Sequence, residues 1–538
     1  MTRSIKAWPS VAMALLVPLF AGYAGAEGPS EIKPSAAGYE PLPTCFAELP
    51  ADVGSEIDAE CGYVTVPETR GSEDGRTLKL GFMRIKSKSE EISPPLFMLA
   101  GGPGQAGIGT DFLTLLKPQL LGQVLRDSDI VLLEQRGTRN TSVHLDCPEL
   151  GRSQWTTYEK GMSEEEADAY QIGLFKACID GFKSQGVNLN AYNSVENAAD
   201  VDAARESLGY ERFIYYGASY GSQLGQHVMR DFPGNLEAVI LDGANSLSRK
   251  SWVEDRALDA QWGIDNLSKL CDADPVCREN MDIPGLVEAS LALFDDGPLP
   301  FRYTDPSDPE LTVEGVLTAD DMVQLMHEMQ GSVIGAFSLP ATLQVLSSDN
   351  GKQAVEVLGQ RRGSALLASR NASVDSGMAM LMHAAVVCSD DPVHSAGDVI
   401  TKGTGPYATA LGESMAKEYV LLCSVLDIEE LPDSTDVDVH TDVPVLLLSG
   451  NLDVATPAYR SQIVADALPN ATHLVFPGRT HVQLGGVNLC AFDIMAQFTR
   501  NPDAPLDTKC MEEAQTMGFV LPDGTMSTDR NATATEQE

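Results

Sequence analysis

The sequence predicts an α/β fold, in which a mostly parallel sheet carries helices on both of its faces. Two observations support this prediction. Short apolar runs of strand character alternate with segments of helical apolar spacing through the first 244 residues, and this alternation returns near the C-terminus. Between residues 245 and 440 the strand signal stops and helical spacing dominates. We therefore expect one sheet that is interrupted by an inserted, mainly helical cap domain.

The N-terminus has the pattern of a signal peptide over residues 1–26. Arg3 and Lys6 precede an apolar run at 11–20, and small residues at 24–26 form a cleavage signal. The run is too short for a comfortable membrane span, although an N-terminal anchor is the alternative. We expect an exported protein, periplasmic or extracellular, with no membrane insertion after cleavage.

Cysteine usage agrees with export. The chain has ten cysteines, an even number, and they are spread along the sequence rather than grouped as metal ligands. Reduced, buried thiols are the alternative, and sequence alone does not fix connectivity. Sequence order favours five local pairs: Cys45–Cys61, Cys147–Cys178, Cys271–Cys277, Cys388–Cys423 and Cys490–Cys510.

The charge balance is strongly acidic. The chain of 538 residues has 77 acidic and 37 basic side chains, which gives a formal net charge of −40. Such a surface argues against nucleic acid and anionic membranes as partners. A solvated acidic surface that keeps an exported protein soluble is the simplest explanation. Attraction of a substrate with a positive end, such as a free α-amine, is the alternative.

The strands divide the chain into a core in two parts. The predicted strands lie at 61–66, 78–85, 96–99, 130–133, 213–216, 238–241, 443–448 and 473–476, and a helix is expected at 195–208. The first part of the core is therefore 27–244 and the second is 441–515. The cap, 245–440, should contain helices near 252–270, 286–294, 320–329 and 378–387, with a proline-rich loop at 298–309. A polar tail is expected at 516–538.

A candidate nucleophile lies between a predicted strand and a predicted helix. Residues 217–221 read Gly-Ala-Ser-Tyr-Gly and fit G-x-S-x-G, a sharp turn that lifts a serine above a sheet. Glycines two residues to either side remove the β-carbons that would clash in so tight a bend. The pattern predicts that Ser219 attacks a carbonyl carbon. The alternative is an ordinary turn in which Ser219 caps the following helix.

A serine nucleophile needs a base, and the base needs an orienting acid. Asp453 and His481 each follow a late strand, where ligands bind in open α/β sheets, and we predict them as acid and base. Asp242 also ends a strand and is the rival acid, although it more simply caps the loop into the cap. The other histidines lack a matching acid and are expected to be structural: His144, His227, His327, His383, His394, His440 and His473.

Acyl transfer creates a negatively charged oxygen that needs two N–H donors. The backbone of Tyr220, next to the nucleophile, is one predicted donor, and Gly102 in the loop Gly101–Gly104 is the other. The loop lacks the patterns that cradle phosphates, and no zinc motif is present. We expect neither a cofactor nor a metal.

Four motifs in register carry a family resemblance. Gly-Gly-Pro-Gly at 101–104, Gln-Arg-Gly-Thr at 135–138, Gly-Ala-Ser-Tyr-Gly at 217–221 and Asp-Val-Ala-Thr-Pro at 453–457 resemble the proline-iminopeptidase family of α/β-hydrolases. Within it the chain is most similar to the secreted tripeptidyl-aminopeptidase branch, which has a helical cap and a cysteine-bearing, TAP-like C-terminal segment. The resemblance implies a serine peptidase with a Ser-Asp-His triad.

Three functions follow as hypotheses. The first is an exopeptidase that releases short N-terminal fragments from peptides, and the second is a carboxylesterase that acts on small esters through the same triad. The third is a binding module on a hydrolase fold, which a missing triad member would have favoured. Recognition of a free amine would need carboxylates near the mouth of the cap. The candidates are Glu134, Glu254, Asp255 and Asp390.

Overall fold

The computed structural model describes most of the chain after the predicted signal peptide, which lies outside the described residues. The described ranges are 38–47, 58–72, 75–89, 93–348, 351–370, 377–513 and 517–528. Within these ranges, no helix combines the length and the apolar character that a membrane crossing requires.

Nine strands form the central sheet of the described structure, and two more form a separate hairpin. The nine are β1 (Glu40–Pro41), β2 (Ala59–Pro67), β3 (Thr77–Ile85), β4 (Ser93–Leu99), β5 (Ser128–Leu133), β6 (Phe213–Ala218), β7 (Leu236–Asp242), β10 (Val445–Gly450) and β11 (Ala471–Phe476); the hairpin is β8 (Leu299–Asp305) and β9 (Asp308–Leu317). Their order in the sheet is β1-β2-β3-β5-β4-β6-β7-β10-β11. Every strand predicted from the sequence is confirmed, with ends that differ by a few residues.

The six strands from β5 to β11 in this order run parallel, whereas β1, β2 and β3 pair antiparallel. Parallel strands end at the same edge of a sheet, so the segments after β4, β6, β7, β10 and β11 meet there. Strand β6 lies at the centre. Its side chains alternate between two apolar clusters, with Tyr215 on one face and Tyr216 on the other. This is the mostly parallel, doubly covered sheet of an α/β-hydrolase, as predicted.

Helices cover both faces of the sheet and build the cap. In chain order they are α1 (Thr110–Thr114), α2 (Pro148–Gly151), α3 (Ser153–Lys160), α4 (Glu164–Ser184), α5 (Ser194–Ser207), α6 (Tyr220–Asp231), α7 (Arg256–Ala273), α8 (Pro275–Asn280), α9 (Ile283–Ala292), α10 (Ala319–Gln330), α11 (Val333–Leu346), α12 (Lys352–Arg370), α13 (Met380–Asp390), α14 (Pro406–Ser424), α15 (Ala458–Ala467), α16 (Leu489–Arg500) and α17 (Lys509–Glu513). The expected helices of the cap correspond to α7, α9, α10 and α13.

The proline-rich segment of the cap forms a hairpin, so the prediction of a loop there was wrong. Strand β8 contains Pro300 and β9 contains Pro309, while Pro306 lies in the turn between them. Proline lacks the N–H that a central strand must donate, but both strands of a two-stranded sheet are edges and can tolerate it. The buried side of the hairpin packs on α12, where a β-carbon on Gly363 would lie 2.4 Å from the ring of Tyr303.

The cap and the core exchange segments across the expected boundaries. Helix α13 belongs to the insertion in sequence, yet its apolar residues join the core cluster that contains Tyr215. The expected polar tail also differs, because Phe519 and Leu521 are buried in the cap cluster. The ring of Phe519 lies 5.0 Å from that of Phe337, centroid to centroid. The apolar run Phe-Val-Leu at 519–521 is too short to give a periodic signal.

All five predicted disulfides are confirmed, and they account for all ten cysteines. The bridges are Cys45–Cys61, Cys147–Cys178, Cys271–Cys277, Cys388–Cys423 and Cys490–Cys510. The last one joins α16 to α17 just after the segment that carries His481.

Replacing Cys490 and Cys510 together by serine should destabilise the protein by about 2–4 kcal/mol, because the bridge closes a loop and restricts the unfolded chain. The Cys271–Cys277 pair is the matched control, since its sequence separation is 6 residues rather than 20. Because the shorter loop gains less entropy when it is opened, losing this bridge should destabilise the protein by about 1 kcal/mol less. Thermal melts of both double variants measure the difference, and an equal or reversed order would contradict the expectation.

Candidate active site

Ser219 lies at a strained corner between β6 and α6. Its backbone has φ 54° and ψ −121°, a region that residues with a side chain rarely adopt. The Ser219 side chain makes no hydrogen bond to the first turn of α6, so it does not cap that helix. The backbone N–H of Ser219 donates to the carbonyl of Asp242 at 2.9 Å, and this hydrogen bond helps to hold the strained conformation. These features match a nucleophile elbow.

The two glycines of the motif are needed for close backbone contact. A β-carbon on Gly217 would lie 2.1 Å from the carbonyl oxygen of Gly221. A β-carbon on Gly221 would in turn lie 2.7 Å from the carbonyl oxygen of Leu99, at the end of β4. The elbow therefore folds back on itself and packs on the neighbouring strand, which accounts for the spacing in the sequence.

The glycine-rich loop after β4 packs directly on the nucleophile. A β-carbon on Gly101 would lie 2.8 Å from the β-carbon of Ser219. Gly102 has φ 111°, and a β-carbon there would lie 2.8 Å from the nitrogen of Gly104. The predicted donors Gly102 and Tyr220 thus belong to two segments that flank Ser219.

Asp453, the predicted acid, follows β10 and is fully buried. Its carboxylate accepts hydrogen bonds from the N–H groups of Ala455 (2.8 Å) and Thr456 (2.9 Å) and from the Thr456 hydroxyl (2.8 Å). The fourth partner is His481, whose Nδ1 lies 2.9 Å from Oδ2 of Asp453. Burial alone would raise the pKa of Asp453, but the imidazole and these donors hold the pKa below its ordinary value.

His481, the predicted base, follows β11, and its ring lies beside Gly243. A β-carbon on Gly243 would lie 3.3 Å from Cε1 of His481 and 2.6 Å from the Thr456 hydroxyl. Burial would lower the pKa of His481, but the charge and hydrogen bond of Asp453 outweigh it and leave the pKa raised. The structure thus brings the three predicted groups to one edge of the sheet.

The other histidines have different surroundings. His383 is buried between the carbonyl of Pro103 (3.0 Å) and the hydroxyl of Tyr419 (2.9 Å), and burial lowers its pKa to about 4. His227 is buried in α6, which lowers its pKa to about 3. Within the described ranges, His394 is the one other histidine in an ion pair, and its partner Glu430 is exposed. A buried Asp-His pair therefore distinguishes His481.

Glu134 is buried beneath the glycine-rich loop. Its carboxylate accepts from the N–H groups of Gly107 and Ile108, both at 3.0 Å, from the amide of Asn140 at 2.7 Å and from the Thr138 hydroxyl. The adjacent Gln135 donates to the carbonyl of Ala100 at 2.7 Å. Residues 134 and 135 therefore bind the chain on both sides of the glycine-rich loop, at residue 100 and at residues 107 and 108. No local signal in the sequence indicated this role.

The remaining candidates for amine recognition differ in accessibility. Asp390 is buried at the end of α13, where it accepts from the N–H of Ser194, and burial raises its pKa to about 7. Glu254 and Asp255 are half-buried at the start of the cap. Asp255 pairs with Arg460 at 3.2 Å, and one oxygen of Glu254 accepts from the N–H of Lys250.

Buried polar contacts that were not predicted from the sequence tie the cap to the segment 451–460, which contains Asp453. Asp259 in α7 accepts from Nε and Nη2 of Arg460, at 2.8 and 2.7 Å, and from the Tyr459 hydroxyl at 2.6 Å. Arg256, one turn earlier, donates to the carbonyl of Ala455 at 2.9 Å. The start of α7 therefore lies over the segment that contains Asp453.

No group of three or more histidine, cysteine, aspartate or glutamate side chains in the described ranges is arranged to hold a metal ion. The chemistry that this arrangement can perform uses a hydroxyl, an imidazole, a carboxylate and backbone N–H groups.

Comparison with known proteins finds one family model and several relatives, of which some are named as peptidases. The family model described as "TAP-like protein" matches residues 407–510, from α14 to Cys510. The chain is 24% identical over 481 residues to Serine protease Hip1 of Mycobacterium tuberculosis (strain ATCC 25618 / H37Rv), which covers 84% of this chain and 87% of that protein. It is 27% identical over 227 residues to Tripeptidyl aminopeptidase of Streptomyces lividans, covering 40% and 42%.

Among solved structures, the proline iminopeptidase of Mycobacterium smegmatis is similar over 82% of this chain and 98% of that one, with 16% sequence identity and a TM-score of 0.38. A thermophilic esterase from Thermogutta terrifontis is similar over 82% and 99%, with 12% identity and a TM-score of 0.33.

Proposed function

We propose that this chain, a serine hydrolase of the α/β-hydrolase family with a TAP-like C-terminal segment, is an exported aminopeptidase that releases short fragments from the N-terminus of peptides. The observation that carries the proposal is the buried Asp453–His481 pair, which follows strands of the same parallel sheet as the strained elbow of Ser219. Relatives named serine protease and tripeptidyl aminopeptidase support a peptide substrate. Five disulfides support a periplasmic or extracellular location.

Acylation begins when the Ser219 hydroxyl attacks the scissile carbonyl and passes its proton to His481. Asp453 fixes the imidazole through Nδ1, which leaves Nε2 for this transfer, and its charge stabilises the imidazolium that forms. The N–H groups of Gly102 and Tyr220 bind the negative oxygen of the tetrahedral intermediate. His481 then gives the proton to the leaving amine, so that the C-terminal remainder of the peptide departs and the N-terminal fragment remains esterified to Ser219.

Deacylation repeats these steps with water. His481 takes a proton from a water molecule, the hydroxide attacks the ester carbonyl, and the second tetrahedral intermediate collapses as His481 reprotonates Ser219. The fragment leaves as a carboxylic acid.

The cap would select substrates by their free amine. Because Arg256 donates to the carbonyl of Ala455, the two preceding residues lie close to the segment that contains Asp453. We favour Glu254 over Asp255, since Asp255 is paired with Arg460. A shielded carboxylate beside a protonated amine is worth about 1.5–3 kcal/mol.

Acetylation of the substrate's N-terminus should therefore lower kcat/KM by about 10- to 100-fold, because this contact is lost. The measurement compares matched tripeptidyl arylamides with free and acetylated termini. Equal cleavage of the two substrates would contradict the aminopeptidase proposal and favour a carboxylesterase, which a parallel assay on a small aryl ester would detect.

The variant Glu254→Gln should reduce the difference between free and acetylated substrates without changing ester hydrolysis. Glu288→Gln is the matched control, since Glu288 is an exposed carboxylate on α9 and its loss changes the net charge equally. A discrimination that survives in Glu254→Gln and is lost in Asp255→Asn would move the amine site to Asp255.

A further inference from the structure

A second buried carboxylate, Asp242, lies between the nucleophile and the base, and the mechanism above does not use it. It ends β7 and is fully buried. Its Oδ1 accepts from the N–H of Gln483 at 2.7 Å, and its Oδ2 accepts from the N–H of Leu484 at 3.0 Å. These donors lie two and three residues after His481. The carboxylate therefore binds the loop that carries the base, rather than capping the chain where it enters the cap.

Two further contacts tie Asp242 to the rest of the site. Its backbone carbonyl accepts from the N–H of Ser219 at 2.9 Å, so the same residue holds the strained elbow. The Tyr216 hydroxyl donates to Oδ2 at 3.0 Å from the neighbouring strand. The next residue is Gly243, where a β-carbon would lie 2.6 Å from the Thr456 hydroxyl and 3.3 Å from Cε1 of His481.

The loop after His481 needs such an anchor. Val482 has φ 57°, a left-handed conformation that is costly for a β-branched residue. Strain of this kind persists only where surrounding contacts enforce it, and the two N–H groups that follow Val482 are the ones bound by Asp242. The anchor is 241 residues away in sequence from the first of these donors.

We propose that Asp242 is a positioning residue for catalysis: as a carboxylate it holds the backbone after His481 and so places the imidazole that Asp453 orients. The proposal rests on the function proposed above and adds a second acid to it. Asp453 binds the ring, whereas Asp242 binds the main chain and adds negative charge beside the imidazole. Protonation of Asp242 replaces one acceptor with a donor, and it weakens the hold on residues 483 and 484.

This role of Asp242 predicts a distinct dependence of activity on pH. Burial raises the pKa of Asp242 to about 6, against the opposing effect of the N–H donors, and its charge contributes to the raised pKa of His481. The ionisable groups that face Asp242 are Tyr216 and His481; Asp453 and Arg256 act on His481 from its other sides. Acidification should therefore remove activity by two protonations, one on each of Asp242 and His481.

The test compares wild type with Asp242→Asn. In wild type the acid limb of log kcat/KM against pH should approach a slope of 2, and in the variant a slope of 1. At pH 8 the variant should lose about 10- to 100-fold in kcat with little change in KM, because a displaced base affects the reaction more than binding. The variant should also titrate His481 at a lower pH, as followed by NMR of histidine-labelled protein, which has eight histidines.

Asp129→Asn is the matched control. Asp129 is also a buried strand aspartate that accepts from one backbone N–H, of Ser87, and from one tyrosine hydroxyl, of Tyr210. It lies at the opposite end of the parallel strands, so its variant should keep the wild-type slope and the wild-type His481 titration.

Tyr216→Phe keeps the test decisive if Asp242→Asn does not fold. Loss of the hydroxyl removes a donor that favours ionised Asp242, so the acid loss of activity should move to higher pH. An unchanged acid limb and an unchanged His481 titration in both variants would overturn the proposal. A wild type that cleaves no peptide or ester would overturn the proposed function instead, while the NMR titration would still decide the coupling between Asp242 and His481.

Discussion

Ser219→Ala should lower kcat/KM by about 10⁴-fold or more and leave the melting temperature close to that of the wild type, as in other serine triads. The hydroxyl makes no capping bond in α6, so its removal costs the fold little. His481→Ala should be similarly severe. Asp453→Asn should be somewhat less severe, since it leaves the nucleophile and the base in the chain. Steady-state assays together with thermal melts separate the loss of chemistry from the loss of folding.

Covalent labelling gives an independent check. A fluorophosphonate probe should modify Ser219, and peptide mapping by mass spectrometry identifies the modified residue. Ser184→Ala, an exposed serine of α4, is the matched control and should keep full labelling and full turnover. Labelling of a different serine with concurrent loss of activity would remove Ser219 from its proposed role.

Glu134→Gln should lower kcat by about 10²–10³-fold, because displacement of the glycine-rich loop moves the Gly102 donor away from the developing oxyanion. A glutamine presents one acceptor oxygen where the carboxylate presents two, and its NH₂ group faces N–H donors. Leaving buried donors unpaired costs about 1–3 kcal/mol in stability. Kinetics on an arylamide and on an aryl ester, with a thermal melt, measure both effects.

Glu68→Gln is the control that separates stability from catalysis. Glu68 is a buried carboxylate that binds Arg76 at 2.9 Å and accepts from Asn188, away from the glycine-rich loop. Its variant should melt earlier yet keep kcat. If Glu134→Gln lost activity on free-amine peptides alone and kept ester hydrolysis, Glu134 would bind the substrate amine, as the sequence first indicated.

The sheet, the elbow and the candidate acid and base could be predicted because each depends on local patterns. A buried run followed by glycines or by a polar turn identifies the end of a parallel strand, and strand ends meet at one edge. Ser219, Asp453 and His481 each follow such a run. Their mutual placement then depends only on chain order, which the sequence displays directly.

The supporting carboxylates could not be assigned in this way. The partners of Glu134 lie up to 27 residues away, and those of Asp242 lie 241 and 242 residues away. No periodicity distinguishes a carboxylate that binds substrate from one that binds main-chain N–H groups. The choice depends on burial and on which donors the fold delivers, and both emerge only from tertiary packing.

The C-terminal segment has a mechanical consequence for the cap. A cap that swings open is joined to the core by its two chain connections alone, but residues 517–528 also contact this cap. Ser527 hydrogen-bonds Asp274, and the ring of Phe519 packs at a tilted angle against that of Phe337. Asp259 in the cap also accepts a hydrogen bond from Arg460 in α15. Movement of the cap away from the core would have to break the contact between Asp259 and Arg460. We therefore expect the cap to keep its position over the segment that contains Asp453, so that peptides are selected by whether they fit beneath it rather than by closure of the cap around them.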